Sequence, residues 1–188
     1  MLKKLALLLI ALGISAFAYG GFQLVKSVSQ EKATLKEAKA LTKVAKDPTH
    51  FKEWDPTLND AIGILTIPRL HRDLPIVEGT SPDQLEKGVG HFKRSALPGQ
   101  KDQIVLSGHR DTVFREFGAL EIGDPLIVKM PYGTFTYTIR ATEIVGRDDL
   151  SVIHSTKPKE ELVLTTCYPF HYIGNAPKRF IVYADRER

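Results

Sequence analysis

Thiols are almost absent from this chain: among 188 residues, Cys167 is the only cysteine. One thiol excludes an internal disulfide framework, so a fold of this length must stand on its hydrophobic core. Close-spaced Cys and His pairs are missing as well, which excludes a structural zinc site. The acidic pairs Asp148-Asp149 and Glu160-Glu161 fall short of the dense oxygen array that calcium requires, and the expectation is no metal and no cofactor.

Charge is lacking from Leu5 to Val25. About 21 residues rising 1.5 Å each make a helix of about 31 Å, close to the thickness of a bilayer core. Ala16-Phe17-Ala18 has the small-x-small form of a signal-peptidase site, so a cleaved signal and an uncleaved anchor both fit; the apolar run continuing past that site favours the anchor. A basic face on the remainder is lacking too. The formal charge is +4, but residues 1–25 carry +2 and residues 26–46 carry +4, which leaves a balance of −2 for residues 47–188. That balance gives no footprint for nucleic acid.

What is present divides the chain into a membrane anchor or signal segment over 1–26, a helical stalk and linker over 27–58, and a folded domain over 59–188. In the second part Leu35, Ala38, Leu41 and Ala45 recur at helical spacing. The spacing predicts a helix over 27–46, ended by Asp47-Pro48 and read as a solvated stalk whose lysines can meet anionic head groups or wall polymers. After Pro56 the pattern changes to short β-branched runs: Ile62–Ile67, Leu74–Val77, Ile104–Ser107, Leu126–Met130, Thr134–Ile139, Leu162–Thr166 and Phe180–Tyr183. Only Pro82–Gly88 reads as helix there, with Ser81 as its cap. Many short strands with few helices predict an all-β domain, a closed or nearly closed barrel.

Cys167 closes one of these runs. Arg179 opens the last of them, so the two form the base of a hairpin that brings a thiol near a guanidinium. The run Ile104–Ser107 leads directly into Gly108-His109, placing an imidazole just past a strand end as well. Each residue alone has an ordinary reading as core thiol, loop histidine or surface arginine. Together they supply what acyl transfer needs: a sulfur nucleophile, a general acid and base, and a fixed donor for an oxyanion. Asp111, two residues after His109, fits either a steering carboxylate or the cap of a turn. His91 and His154 read as structural or loop residues, and His171 as a weaker rival for the base.

At these residues the chain resembles the sortases, cysteine transpeptidases of the Gram-positive cell surface. Leu164-Thr165-Thr166-Cys167 matches the last four positions of the family signature T-L-x-T-C, with Val163 standing where the signature has threonine. Gly108-His109 matches the family's histidine segment, and Arg179 falls where its arginine falls. The likeness runs from about Ala61 to Ala184. Cys167-Tyr168-Pro169-Phe170 and Pro177-Lys178-Arg179-Phe180 look most similar to the class D enzymes of bacilli, and no long hydrophobic tail follows Arg188 as it often does in the pilin-polymerising class.

The resemblance implies an eight-stranded sortase-like β-barrel with short helices over 59–188, behind an N-terminal transmembrane helix. It implies that Cys167 cleaves a Leu-Pro-x-Thr sorting motif, forms a thioester and passes the protein to an amine, with His109 and Arg179 assisting and Thr166 supporting the oxyanion site. Its partners would be secreted proteins with a C-terminal sorting motif, a cell-wall precursor or peptidoglycan amine, and the membrane. The enzyme would be single-pass in the plasma membrane with its catalytic domain extracellular. Charge counting points the other way: Lys26, Lys32, Lys36 and Lys39 follow the apolar run against Lys3 and Lys4 before it.

The long connection from Val145 to Leu162 holds Leu150, Val152 and Ile153, which fit an apolar slot for the motif's Leu and Pro or, equally, packing beneath a loop. Two other readings of the whole chain stay open at this point. One is a secreted cysteine endopeptidase in which water takes the acyl group; the other is a tethered, non-enzymatic binding module.

Overall fold

A computed structural model describes residues 2–43, 54–172 and 174–187. Its strands are β1 Ala61–Ile67, β2 Arg72–Glu78, β3 Val89–His91, β4 Gln103–Gly108, β5 Pro125–Met130, β6 Gly133–Gly146, β7 Glu161–Tyr168 and β8 Lys178–Arg186. They close into one barrel in the order β1-β2-β3-β4-β7-β8-β6-β5, with β5 pairing back onto β1. Two neighbour pairs are parallel, β2 with β3 and β4 with β7; the rest are antiparallel. Closure gives each described strand two neighbours along at least part of its length, which limits exposed sheet edge.

The period of two sorts side chains into two layers. Ile104, Leu106, Leu162, Leu164, Val182 and Ala184 point inward and pack with Leu65, Phe117 and Tyr137 in the barrel core. Their sequence neighbours Val105, Val163 and Ile181 point outward, into a smaller cluster with Val145 and Val152. That second layer exists because the connection from β6 to β7 folds over the outside of the sheet. Away from the strand ends that carry Cys167 and Gly108, the core is closed by a polar knot. Glu160, buried, accepts from the Tyr137 hydroxyl at 2.7 Å, Arg186 Nη1 at 2.7 Å and the Gly99 N–H at 2.9 Å.

Three elements differ from the sequence expectation. Strand β3 has only three residues, too few for a periodic pattern, and Gly90 within it is required by close packing: a Cβ there would lie 2.4 Å from the Gly79 carbonyl oxygen. Strand β6 runs 14 residues instead of ending at Ile139, because its exposed second half is paired along β8 after a register irregularity between Ile139 and Ala141. Helix α2 spans Pro82–Leu85 and stops short of Gly88; the Ser81 N–H donates to Oε1 of Gln84 at 2.9 Å, closing its first turn.

The expected anchor and the first part of the expected stalk lie in one helix, α1, Leu2–Lys43, without a break between the apolar and polar parts. The stalk is not fully solvated. Ala38 is completely buried against Ala61 and Ile64 with Leu35 beside it, because small residues on one helix face let the backbone approach β1. The expected stop at Asp47-Pro48 lies outside the described residues.

Candidate active site

Parallel pairing of β4 and β7 sends both strands out of the barrel at the same end. Gly108 is the register partner of Thr166, so His109 and Cys167, each one residue further on, emerge side by side. Antiparallel pairing of β7 and β8 then sets Arg179 directly opposite Cys167. These three side chains line one cavity of about 310 Å³ together with Arg110, Asp111 and Arg147. Three guanidinium groups line it against the Asp111 carboxylate, and with Arg147 paired to Asp148 at 3.3 Å the balance is still positive, which favours a developing oxyanion.

Thr166 and Cys167 face opposite sides of the strand. The Thr166 hydroxyl turns into the barrel and donates to the Gly108 carbonyl at 2.7 Å, tying β7 to β4 one residue before the two candidate groups. Gly108 has no room for a side chain, since a Cβ would lie 2.5 Å from the Phe114 ring. Phe114 stacks on Phe117 with centroids 4.1 Å apart, and its N–H donates to the His109 carbonyl at 2.9 Å. Core packing thus holds the turn that carries the imidazole.

Arg179 spends Nη1 on the backbone, donating to the Lys178 carbonyl at 3.0 Å and the Ala176 carbonyl at 3.4 Å. Among the described residues, its Nε and Nη2 have no hydrogen-bond partner, which leaves a fork of donors for a substrate. Asp111 is 72% exposed and pairs with Arg110 Nε at 3.5 Å; no hydrogen bond joins it to His109 among the described residues. His171 is exposed and does not line the cavity. His91 is buried, with Nδ1 2.7 Å from Glu78 and Nε2 3.0 Å from the Ala96 carbonyl.

Sequence reasoning missed Arg110. Its side chain is only 8% exposed, and it donates from Nη1 to the Pro169 carbonyl at 3.1 Å and from Nη2 to the carbonyls of Tyr172 and of Gly174, the latter at 3.2 Å. One guanidinium fastens the loop that follows Cys167. The available signal was a charged residue directly after His109 at a strand exit, where a long cation is buried only if it has partners.

The expected apolar slot divides. Leu150, 72% exposed, and Ile153 line a second pocket of about 370 Å³ with Phe92 and Ala96. Val152 instead turns inward and is core, packed with Val105, Val163 and Ile181. Phe92 and Ile153 pack on that same cluster, so the second pocket lies on the outer face from which Cys167 emerges. Ser107 and Thr165, paired in register, sit between the two. Asp102 frames the far side: burial pushes its carboxyl up, but hydrogen bonds from the Gln103 and Thr156 N–H groups and the Ser155 hydroxyl outweigh that and hold it below the usual carboxylate range. Among the described residues no cluster of three or more His, Cys, Asp or Glu could hold a metal ion.

A family model described as the sortase domain matches residues 65–187. The chain is 50% identical to Sortase D of Bacillus subtilis, with 99% of each covered. It is 27% identical to Sortase A of Streptococcus agalactiae over 68% of this chain and 53% of that one. Among solved structures it is similar to a Sortase D5 transpeptidase of Clostridium perfringens, with a TM-score of 0.75 at 26% identity over 85% of this chain and 99% of the other. A sortase A of Actinomyces oris gives 0.65 at 26% identity, covering 71% and 83%.

Proposed function

The chain belongs to the sortase family of cysteine transpeptidases, and from that premise we propose that Cys167 is its nucleophile, His109 its general acid and base, and Arg179 its oxyanion donor. The substrate is a secreted protein carrying a Leu-Pro-x-Thr sorting motif. The observation that carries this reading is the placement of the three side chains on one cavity, with Cys167 and Arg179 as register partners.

The Cys167 sulfur, its proton passed to His109, attacks the threonine carbonyl carbon, and the carbonyl electrons move onto oxygen, where Arg179 donates. Collapse breaks the C–N bond; His109 gives its proton to the departing amine, and a thioester remains on Cys167. An amine of a cell-wall precursor or of peptidoglycan then attacks the thioester carbonyl, loses a proton to His109 and expels the sulfur. No atom has to come from a metal or cofactor in this sequence.

The outer face suits the motif in length. With the threonine carbonyl at Cys167, the motif's leucine lies three residues back, about 10 Å along an extended chain. Val163, four positions before Cys167, is about 13 Å along the strand. Leu150 and Ile153, beside Phe92, therefore fall within reach of the leucine and proline, and Val152 supports them from beneath. Thr166 acts through position, by holding β7 to β4.

The first part of α1 is long and apolar enough to cross a membrane. We assign residues 1–26 to a single-pass anchor, 27–58 to the stalk and linker, and 59–188 to an extracellular catalytic domain. The test is to give the purified protein a sorting-motif peptide with and without an added amine. Transfer product that rises with amine concentration supports the reading; cleavage that proceeds in Cys167→Ala removes it.

A further inference from the structure

His109 differs from Cys167 and Arg179 in lying outside a strand, on the turn that runs to Phe114. The Thr112 carbonyl helps close that turn by accepting the Arg115 N–H at 3.3 Å. It also accepts Nη1 of Arg72 at 2.9 Å, from 40 positions away in sequence. Arg72 opens β2, and its Nη2 donates to Oε1 of Glu31 at 2.8 Å. Glu31 is on α1, six residues and about 9 Å beyond Val25 along the helix axis.

One guanidinium therefore grips the histidine turn with one nitrogen and the helix with another. A planar fork aims donors on two different nitrogens in fixed directions, where a lysine would carry all its donors on one rotatable nitrogen. Both side chains are largely shielded, Arg72 at 28% exposure and Glu31 at 19%. A second link between helix and barrel, Lys39 to Asp73 at 3.4 Å, does not touch the turn. The geometry points to a relay: we propose that Glu31, through Arg72, sets the position of the His109 turn, so that α1 is part of the support of the active site as well as its tether. Arg72 and Glu31 are positioning residues, and the proposal rests on the reading of His109 as the acid and base.

The test uses the full chain in detergent micelles, with a sorting-motif peptide, an amine, and hydrogen exchange as a readout independent of turnover. Glu31→Ala and Arg72→Ala are each expected to lower kcat about fivefold, the loss of a partly shielded charged contact, while KM stays within about twofold. Amides 110–115 exchange faster in both. The double variant is no slower than Arg72→Ala alone, Glu31→Gln, which keeps the accepting oxygen, retains most of the rate, and Lys39→Ala behaves as wild type. Unchanged exchange at 110–115 in both alanine variants overturns the relay, as does an equal loss of kcat in Lys39→Ala. If His109→Ala keeps full turnover while the exchange effects persist, the relay stands and the role given to His109 falls.

Discussion

At Cys167 the alternation of a β-strand decides what the sulfur can reach. Thr166 turns its hydroxyl into the barrel and Cys167 turns out toward Arg179, so the residue beside the proposed nucleophile is a fastening. Thr166→Val leaves the Gly108 carbonyl without that donor and is expected to lower stability by about 1–3 kcal/mol in denaturant unfolding, with a parallel loss of kcat; Thr166→Ser restores both. Arg110→Ala releases three carbonyls of the loop after Cys167 and is expected to raise KM more than it lowers kcat, with faster proteolysis between 169 and 174. The convergence of Cys167, His109 and Arg179 on one cavity is legible in the sequence because each abuts a β-branched run. The parts of Arg110 and Arg72 are not, because their partners, backbone carbonyls and for Arg72 also the Glu31 carboxylate, lie in segments distant in sequence, which no local pattern encodes.

The strands with three or more buried β-branched or aliphatic residues could be read directly; β3 and the second half of β6 could not, since pairing alone holds them. Polar clips between elements are likewise invisible before folding. Asp124, just before β5, accepts Arg69 Nε from the turn after β1 and the Glu121 N–H at 2.8 Å. The Arg69 hydrogen bond holds its carboxyl below the usual carboxylate range against the opposing pull of burial. A carboxyl depressed in the folded state contributes stability above its unfolded value of about 4 and loses it as pH falls through the depressed value. Thermal unfolding should therefore drop more steeply below about pH 4 in wild type than in Asp124→Asn, which has no proton to take up there.

For the whole molecule, one helix joins an apolar stretch to a barrel that it also packs against. The composition changes at Lys26 while helical geometry does not, so the sequence divides what the structure joins. The expectation of a solvated stalk fails for a related reason: Ala38 and Leu35 look unremarkable in a Lys- and Ala-rich stretch until β1 covers them. The single, partly exposed thiol makes topology directly measurable. A membrane-impermeant maleimide added to intact cells is expected to label the wild-type chain and leave Cys167→Ala unlabelled; labelling only after lysis would place the barrel in the cytoplasm, as the lysine count alone suggests.

The central claim is that one carbonyl can lie within reach of sulfur, imidazole and guanidinium together. Mass spectrometry of the enzyme quenched in acid during turnover of a sorting-motif peptide, without amine, tests it most directly. The expected result is a peptide containing Cys167 heavier by the acyl fragment ending in threonine, absent in Cys167→Ala and greatly reduced in Arg179→Ala. An acyl group on any other residue, or cleavage of the peptide with no adduct and undiminished in Cys167→Ala, would contradict it.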